Sequence, residues 1–193
     1  KAELVIPVTG LTADNATKVL EGLALTSHIY SCAGCTEHFA IAGPCPGCQG
    51  DLKEESKEIF FKRDYVLDQG LLKLQTNEGM RVRLSELERA LKVHSIMIDA
   101  QKLSIAGTAT MIVAGATTDE QAMAIQKAFQ EGKLFQRVSV LIDPTSKQAR
   151  ILVAAGATAP TKSTIEMALS KIDAKYKIAD VIWNVPSDET VKK

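Results

Sequence analysis

Every cysteine of the chain lies in one stretch, SHIYSCAGCTEHFAIAGPCPGCQGDLKEE (Ser27 to Glu55), as two Cys-x-x-Cys pairs, Cys32 with Cys35 and Cys45 with Cys48. A thiolate can act as a nucleophile, a redox partner or a soft metal ligand. One Cys-x-x-Cys turn brings two sulfurs onto a single ion while nearby backbone N–H groups soften their charge. Two such turns supply a closed tetrahedral site. Zinc is the expected occupant, because it takes four thiolates in a tetrahedron and makes no redox demand. Iron in a rubredoxin-like site and copper rank behind it. A disulfide or redox role ranks behind as well, since neither pair opens a helix in a thioredoxin-like setting.

The expected metal ligands are therefore Cys32, Cys35, Cys45 and Cys48, and no catalytic residue is expected. Four sulfurs fill the shell of a zinc ion and leave no position for an activated water, which argues against hydrolysis. The segment is short and poor in apolar side chains, so it cannot order itself by burial alone. A bound structural zinc can supply about 10 kcal/mol or more of apparent binding energy instead. His38 lies inside the loop and is an alternative ligand, although a solvated loop histidine is the simpler expectation.

The elements around this stretch emerge from an internal repeat. Setting Ile6 to Leu23 against Met111 to Phe129 aligns Val8 with Val113, Gly10 with Gly115, Thr12 with Thr117 and Asp14 with Asp119 at one constant spacing. Each block begins with β-rich alternation, turns at the glycine and opens a helix with Thr and Asp, whose side chains can accept from first-turn N–H groups. A second match sets Leu84 to Lys92 against Ser163 to Lys171, where Ser85/Glu88 and Ser163/Glu166 fit the Ser-x-x-Glu capping box. The two spacings differ, so the first copy holds about 27 residues that the second lacks. The cysteine stretch is that insertion.

The second copy shows the uninterrupted plan. Strands are expected at Thr108–Gly115, Arg137–Asp143, Ala149–Ala155 and Lys177–Trp183, with helices at Thr118–Glu131 and Ser163–Ile172. This βαββαβ order predicts an α+β fold of two tandem ferredoxin-like domains, the first with a four-cysteine zinc-knuckle insertion. Residues 1–106 form the first domain, with the insertion at about 26–62 and the knuckle at 30–52. Residues 107–193 form the second. First-domain strands are expected at Leu4–Thr9, Asp64–Asp68, Leu71–Gln75 and His94–Asp99, with Lys102–Ala106 extending toward the second domain. Ser27–Cys32 begins the insert or is the second strand of the domain, and Asp51–Glu58 is expected as a solvated helical turn or linker.

A domain that opens strand, Gly, x, Thr, helix resembles the heavy-metal-associated domain of copper chaperones and metal-pumping ATPases, whose loop runs Gly-Met-Thr-Cys-x-x-Cys. Here the loops run Gly10-Leu11-Thr12-Ala13-Asp14-Asn15-Ala16 and Gly115-Ala116-Thr117-Thr118-Asp119-Glu120-Gln121. Neither keeps the thiolates that select Cu(I), so the resemblance implies the fold without that loop's ion carriage. The insert is similar to the short heavy-metal-binding domain of copper and silver efflux proteins through Tyr30, Cys32, Cys45, Pro46, Cys48, Asp51 and Leu52. Cys35 stands where that family has His, and Gly34 and Gly50 stand where it has Met. The resemblance implies metal handling, and the departures shift the site toward four thiolates.

Composition excludes several other classes. Lys plus Arg and Asp plus Glu each number 23, leaving no net field to attract nucleic acid or an anionic membrane. No apolar run reaches the ~18–20 residues of a bilayer span. The chain begins at Lys1, so the compartment stays open between the cytoplasm and export after loss of a leader. His28 and His94 are expected at surface or boundary positions, Trp183 as an edge or interface anchor, and Ala155–Ala159 lacks the spacing and Lys of a phosphate loop. The expected function is zinc or heavy-metal binding in metal homeostasis or transport, without enzymatic activity. The alternatives are an interaction module with a purely structural zinc and, behind it, a thiol redox protein. The expected partners are the metal ion and a protein or second copy pairing on an exposed sheet edge.

Overall fold

Leu4, Ile6 and Val8 recur with the two-residue period of a strand, and all three are buried in β1 (Glu3–Thr9). The computed structural model describes residues 3–35, 38–39, 41–58, 61–76, 80–143 and 146–184. After β1 the chain forms α1 (Ala16–Glu21), β2 (Thr26–Cys32), β3 (His38–Phe39), β4 (Leu52–Glu58), β5 (Phe61–Val66), β6 (Leu71–Thr76), β7 (Arg81–Arg83), α2 (Leu84–Lys92) and β8 (Met97–Ile98). The second half forms β9 (Thr108–Ala114), α3 (Asp119–Glu131), β10 (Arg137–Ile142), β11 (Ala149–Ala154), α4 (Lys162–Ile172) and β12 (Lys177–Asn184). The fold is thus mixed α and β, with its strands in three antiparallel sheets.

The first sheet has the order β5-β6-β1-β8 and the second β10-β11-β9-β12-β7. Leaving β7 aside, both place the second, third, first and fourth strands of their half side by side, with one helix after the first strand and one before the fourth. The core side chains follow from this arrangement. Val19, Leu20, Leu87 and Leu91 from α1 and α2 pack with Ile6, Leu72 and Leu74, while Ile125, Phe129, Ile165 and Leu169 from α3 and α4 pack with Met111, Val113, Ile151 and Val153. All belong to one continuous cluster that spans the two halves.

Gly10 and Gly115 end β1 and β9 with φ of 91° and 96°. A Cβ at Gly10 would lie 2.9 Å from the Ser95 carbonyl oxygen, and one at Gly115 would lie 2.8 Å from the Lys175 carbonyl oxygen. Each glycine is thus required twice over, by its left-handed backbone and by the backbone leading into the last strand of its own half.

The third sheet, β3-β2-β4, is a long hairpin in which Thr26 faces Glu58 at one end and Cys32 faces Leu52 at the other. Ser27–Cys32 therefore pairs within the insert and not in the first sheet. Where a solvated helical turn or linker is expected over Asp51–Glu58, Leu52–Glu58 is a strand, because seven residues of β2 supply the hydrogen-bonding partner that its polar sequence could not announce. The expected strand Asp64–Asp68 starts earlier, at Phe61, and gives way to a 3-10 turn at Leu67–Gln69. Of His94–Asp99 only Met97 and Ile98 are extended, and Lys102–Ala106 contributes one isolated bridge, Ser104 to Thr161.

The helix starts also differ from expectation. Neither Ser85 nor Ser163 caps its helix: Ser85 donates through both N–H and Oγ to the Asp180 carboxylate, at 3.1 and 2.7 Å, and α4 is capped by Thr161 accepting from Thr164 N–H. α3 carries the complete capping box, Thr118 with Gln121. Trp183 is buried between β7 and β9 and is not at an edge, because β7 crosses from the first half to pair Val82 with Trp183.

Candidate metal centre

β2 delivers Cys32 at its last residue, and the chain reverses at once through Cys35. Beyond β3 a second reversal carries Cys45 and Cys48 before β4 returns alongside β2. Cys45 N–H donates to the Gly50 carbonyl and Gln49 N–H to the Cys45 carbonyl, both at 2.8 Å, and Gln49 takes a left-handed φ of 61° to close the turn. Pro44 bridges to Asp51 just outside it. Two turns on neighbouring strand ends therefore point their thiols at one another.

The four Sγ atoms all lie within 4.8 Å of one another. Cys32 and Cys48 are 3.4 Å apart, and Cys35 and Cys45 are 3.8 Å apart. Four sulfurs about 2.3 Å from a central ion would form a tetrahedron with edges of roughly 3.8 Å, so the set fits such an ion without rearrangement of the turns. These separations are far longer than a disulfide bond of about 2.0 Å, and none of the four cysteines is in a disulfide. Among the described residues this is the one convergence of three or more His, Cys, Asp or Glu ligand atoms. The side chain of His38 lies outside the described residues.

The surroundings favour thiolate at one corner. Cys35 N–H donates to Cys32 Sγ at 3.4 Å, and this donor, with the Cys48 thiol, lowers the Cys32 pKa to about 7. Cys35 is pushed up to about 12, first by its hydrogen bond with Cys48 and then by those with Cys45 and Cys32. Thiols packed this closely share protons until a cation takes their place. Cys32 and Cys45 are buried whereas Cys48 is exposed, so an ion could enter from the Cys48 side. Gly34 and Gly50 adjoin the same corner: a Cβ at Gly50 would lie 3.4 Å from Cys48 Sγ, and one at Gly34 would lie 3.9 Å from it.

The knuckle is tied down at base and tip. Thr26 N–H donates to Glu86 Oε1 at 2.8 Å, Arg81 N–H to Ser27 Oγ at 2.9 Å, and Arg150 Nη2 to the Ala42 carbonyl at 3.0 Å. Arg150 also pairs with Asp143, and both are buried. This tie across 108 residues of sequence carried no motif.

The loops after β1 and β9 are both closed by side-chain amides. Asn15 Oδ1 accepts from Thr12 N–H at 2.8 Å while its Nδ2 donates to the Gly10 carbonyl, and Gln121 Oε1 accepts from Thr117 and Thr118 N–H. Sequence reading also passed over a cluster of His28, Glu54 and Ser56 on the exposed face of the hairpin. Glu54 Oε1 and Ser56 Oγ lie 2.8 and 3.1 Å from the same nitrogen, His28 Nδ1. A nucleophilic triad needs its base to address serine and carboxylate through different nitrogens, which this geometry does not do. His28 instead holds the Glu54 carboxyl below its ordinary pKa.

No described helix is long and apolar enough to cross a membrane. Comparison of the chain with known protein families, curated proteins and solved structures finds no match.

Proposed function

We propose that the chain is a non-enzymatic metal-binding protein that holds one zinc ion on Cys32, Cys35, Cys45 and Cys48 and serves in heavy-metal homeostasis or transport. The convergence of four thiols within 4.8 Å carries this reading. Zinc would sit in a closed shell supplied entirely by this chain, with Cys32 the first thiolate to receive it. The scaffold is two ferredoxin-like βαββαβ domains in tandem, related to the heavy-metal-associated domains and interrupted in the first by the knuckle. The shared strand order and the matching glycines at the ends of β1 and β9 support that relation.

A second reading, an interaction module in which zinc is purely structural, is favoured by the three ties that hold the knuckle against α2, β7 and β11. A docked knuckle transmits the order that an ion supplies. Metal analysis of the purified protein, with hydrogen exchange before and after chelation, separates the two. Exchangeable copper or silver supports transport. One tightly held zinc, whose loss opens residues 26–58 while the second half stays protected, supports the structural role. No metal, together with a measurable disulfide, overturns both.

A further inference from the structure

The knuckle does not lie flush on the second sheet. Along β9 and β11, Met111 and Ile151 enter the core while Thr110, Arg150 and Leu152 face the other way, and it is this other face that the knuckle covers. Between them lies a cavity of about 340 Å³, walled on the knuckle side by Phe39, Ile41 and Pro46 and on the sheet side by Leu141 and Leu152. That volume falls within the range of small-molecule sites, which are apolar with a few convergent polar groups.

The polar groups here are unequal. Arg150 is committed to Asp143 and Ala42, so its charge is balanced within the protein. Arg81, which also lines the cavity, has no such balance among the described residues. Its Nη1 is buried with no hydrogen-bond partner among the described residues, and burial lowers its pKa without a carboxylate to offset it. A guanidinium stays charged even so, and a buried N–H donor left unsatisfied is costly. Asn184 lines the same cavity, and its Oδ1 is a buried acceptor that receives no donor from the described residues. One cation, one orphan acceptor and apolar walls define a complementary guest: a single negative charge, a hydrogen-bond donor and an apolar body.

We propose that this cavity binds a small organic carboxylate bearing a hydroxyl or amino group. The carboxylate meets Arg81, the adjacent donor meets Asn184 Oδ1, and the apolar remainder lies between Phe39, Leu141 and Leu152. The site is independent of which metal fills the knuckle, since none of its polar groups is a cysteine.

Calorimetric titration of the metal-loaded whole protein with mandelate, an α-hydroxy carboxylate on a phenyl ring, tests this. Mandelate is expected to bind, and its neutral amide to bind at least about tenfold more weakly, a difference of about 1.4 kcal/mol. Arg81→Gln is expected to weaken mandelate by a similar factor or more while retaining the metal. Leu141→Trp, which fills the cavity and leaves Arg81 in place, is expected to remove binding and keeps the test decisive if Arg81→Gln does not fold. No heat with mandelate at millimolar concentration, equal affinity for its amide, or undiminished binding by Leu141→Trp would each overturn the proposal. Binding of inorganic phosphate in preference to mandelate would overturn it too, because the apolar walls would then contribute nothing.

Discussion

The two halves share one strand order yet differ most at one connection. α3 reaches β10 across residues 132–136, whereas α1 reaches β5 across residues 22–60, which contain the whole knuckle. The first sheet tolerates this detour because the hairpin leaves and returns at one point, Thr26 beside Glu58. An excursion whose ends already meet costs the host little more than a short loop would, since closure entropy grows only slowly with length. The difference extends to the helices. α3 runs thirteen residues with a complete capping box, while α1 runs six with no side-chain cap. The uninterrupted half satisfies its own ends, and the interrupted half leans on the knuckle and on β12.

The comparison breaks most sharply at the metal site. Cys45→Ala removes a buried thiol from the centre and is expected to forfeit most of a metal contribution of about 10 kcal/mol, read as loss of bound zinc and of exchange protection in β2 and β4. Protection in β9 and β11 should persist; its collapse would mean that the halves are one cooperative unit. Phe129→Ala is the converse probe, emptying a fully buried position under the second sheet at a cost of about 3–5 kcal/mol by denaturant melts. It should lower the midpoint of unfolding without releasing the metal.

Gly10→Ala and Gly115→Ala test whether the halves are true equivalents. Both place a Cβ within 3 Å of a carbonyl oxygen at positive φ, so each should cost more than about 1 kcal/mol and by similar amounts. A large cost at one and none at the other would break the equivalence. Thr118→Ala should cost about 1 kcal/mol through the lost α3 cap, whereas Thr12→Ala should cost less, because its hydroxyl accepts from Asn15 N–H ahead of α1 and is not the N-cap of a helix.

The site itself should depend on pH. Cys32, with a pKa lowered to about 7, is ionised above that value, while Cys35 keeps its proton until far higher pH unless a metal displaces it. Metal and protons compete, so affinity should fall as pH drops through 7 and rise above it. At pH 8, binding should release fewer than four protons, because Cys32 has already lost its own. Titration in buffers of different ionisation enthalpy measures that number, and release of four would place Cys32 with the ordinary thiols.

The second half was legible in the sequence nearly element by element, because β9, β11, α3 and α4 each carry an apolar period long enough to register. The clustering of Cys32, Cys35, Cys45 and Cys48 was legible too, since the Cys-x-x-Cys spacing records the turn that brings each pair of sulfurs together. β4 was not, because LKEESKE contains one apolar residue and becomes a strand only through β2. β7 was invisible for a similar reason: Arg81-Val82-Arg83 is too short to show a period, and its partner lies at the far end of the second half. Nor could any local pattern place Ser85 against Asp180 or Arg150 against Ala42. Contacts that depend on two distant segments arriving together leave no mark in either one alone.

The pairing of β7 with β12 has a consequence for how the molecule is made. Asp180 holds Arg83 Nε at 2.8 Å and satisfies the start of α2 across 95 residues of chain. Translation delivers β7 and α2 long before β12, so the start of α2 waits for its acceptor until almost the whole chain has been made. Early closure cannot help, because a contact of such long span forms only after the intervening chain is in place. The last strand therefore works as a clasp: until the ribosome has released β12, the half that was made first stays unfinished.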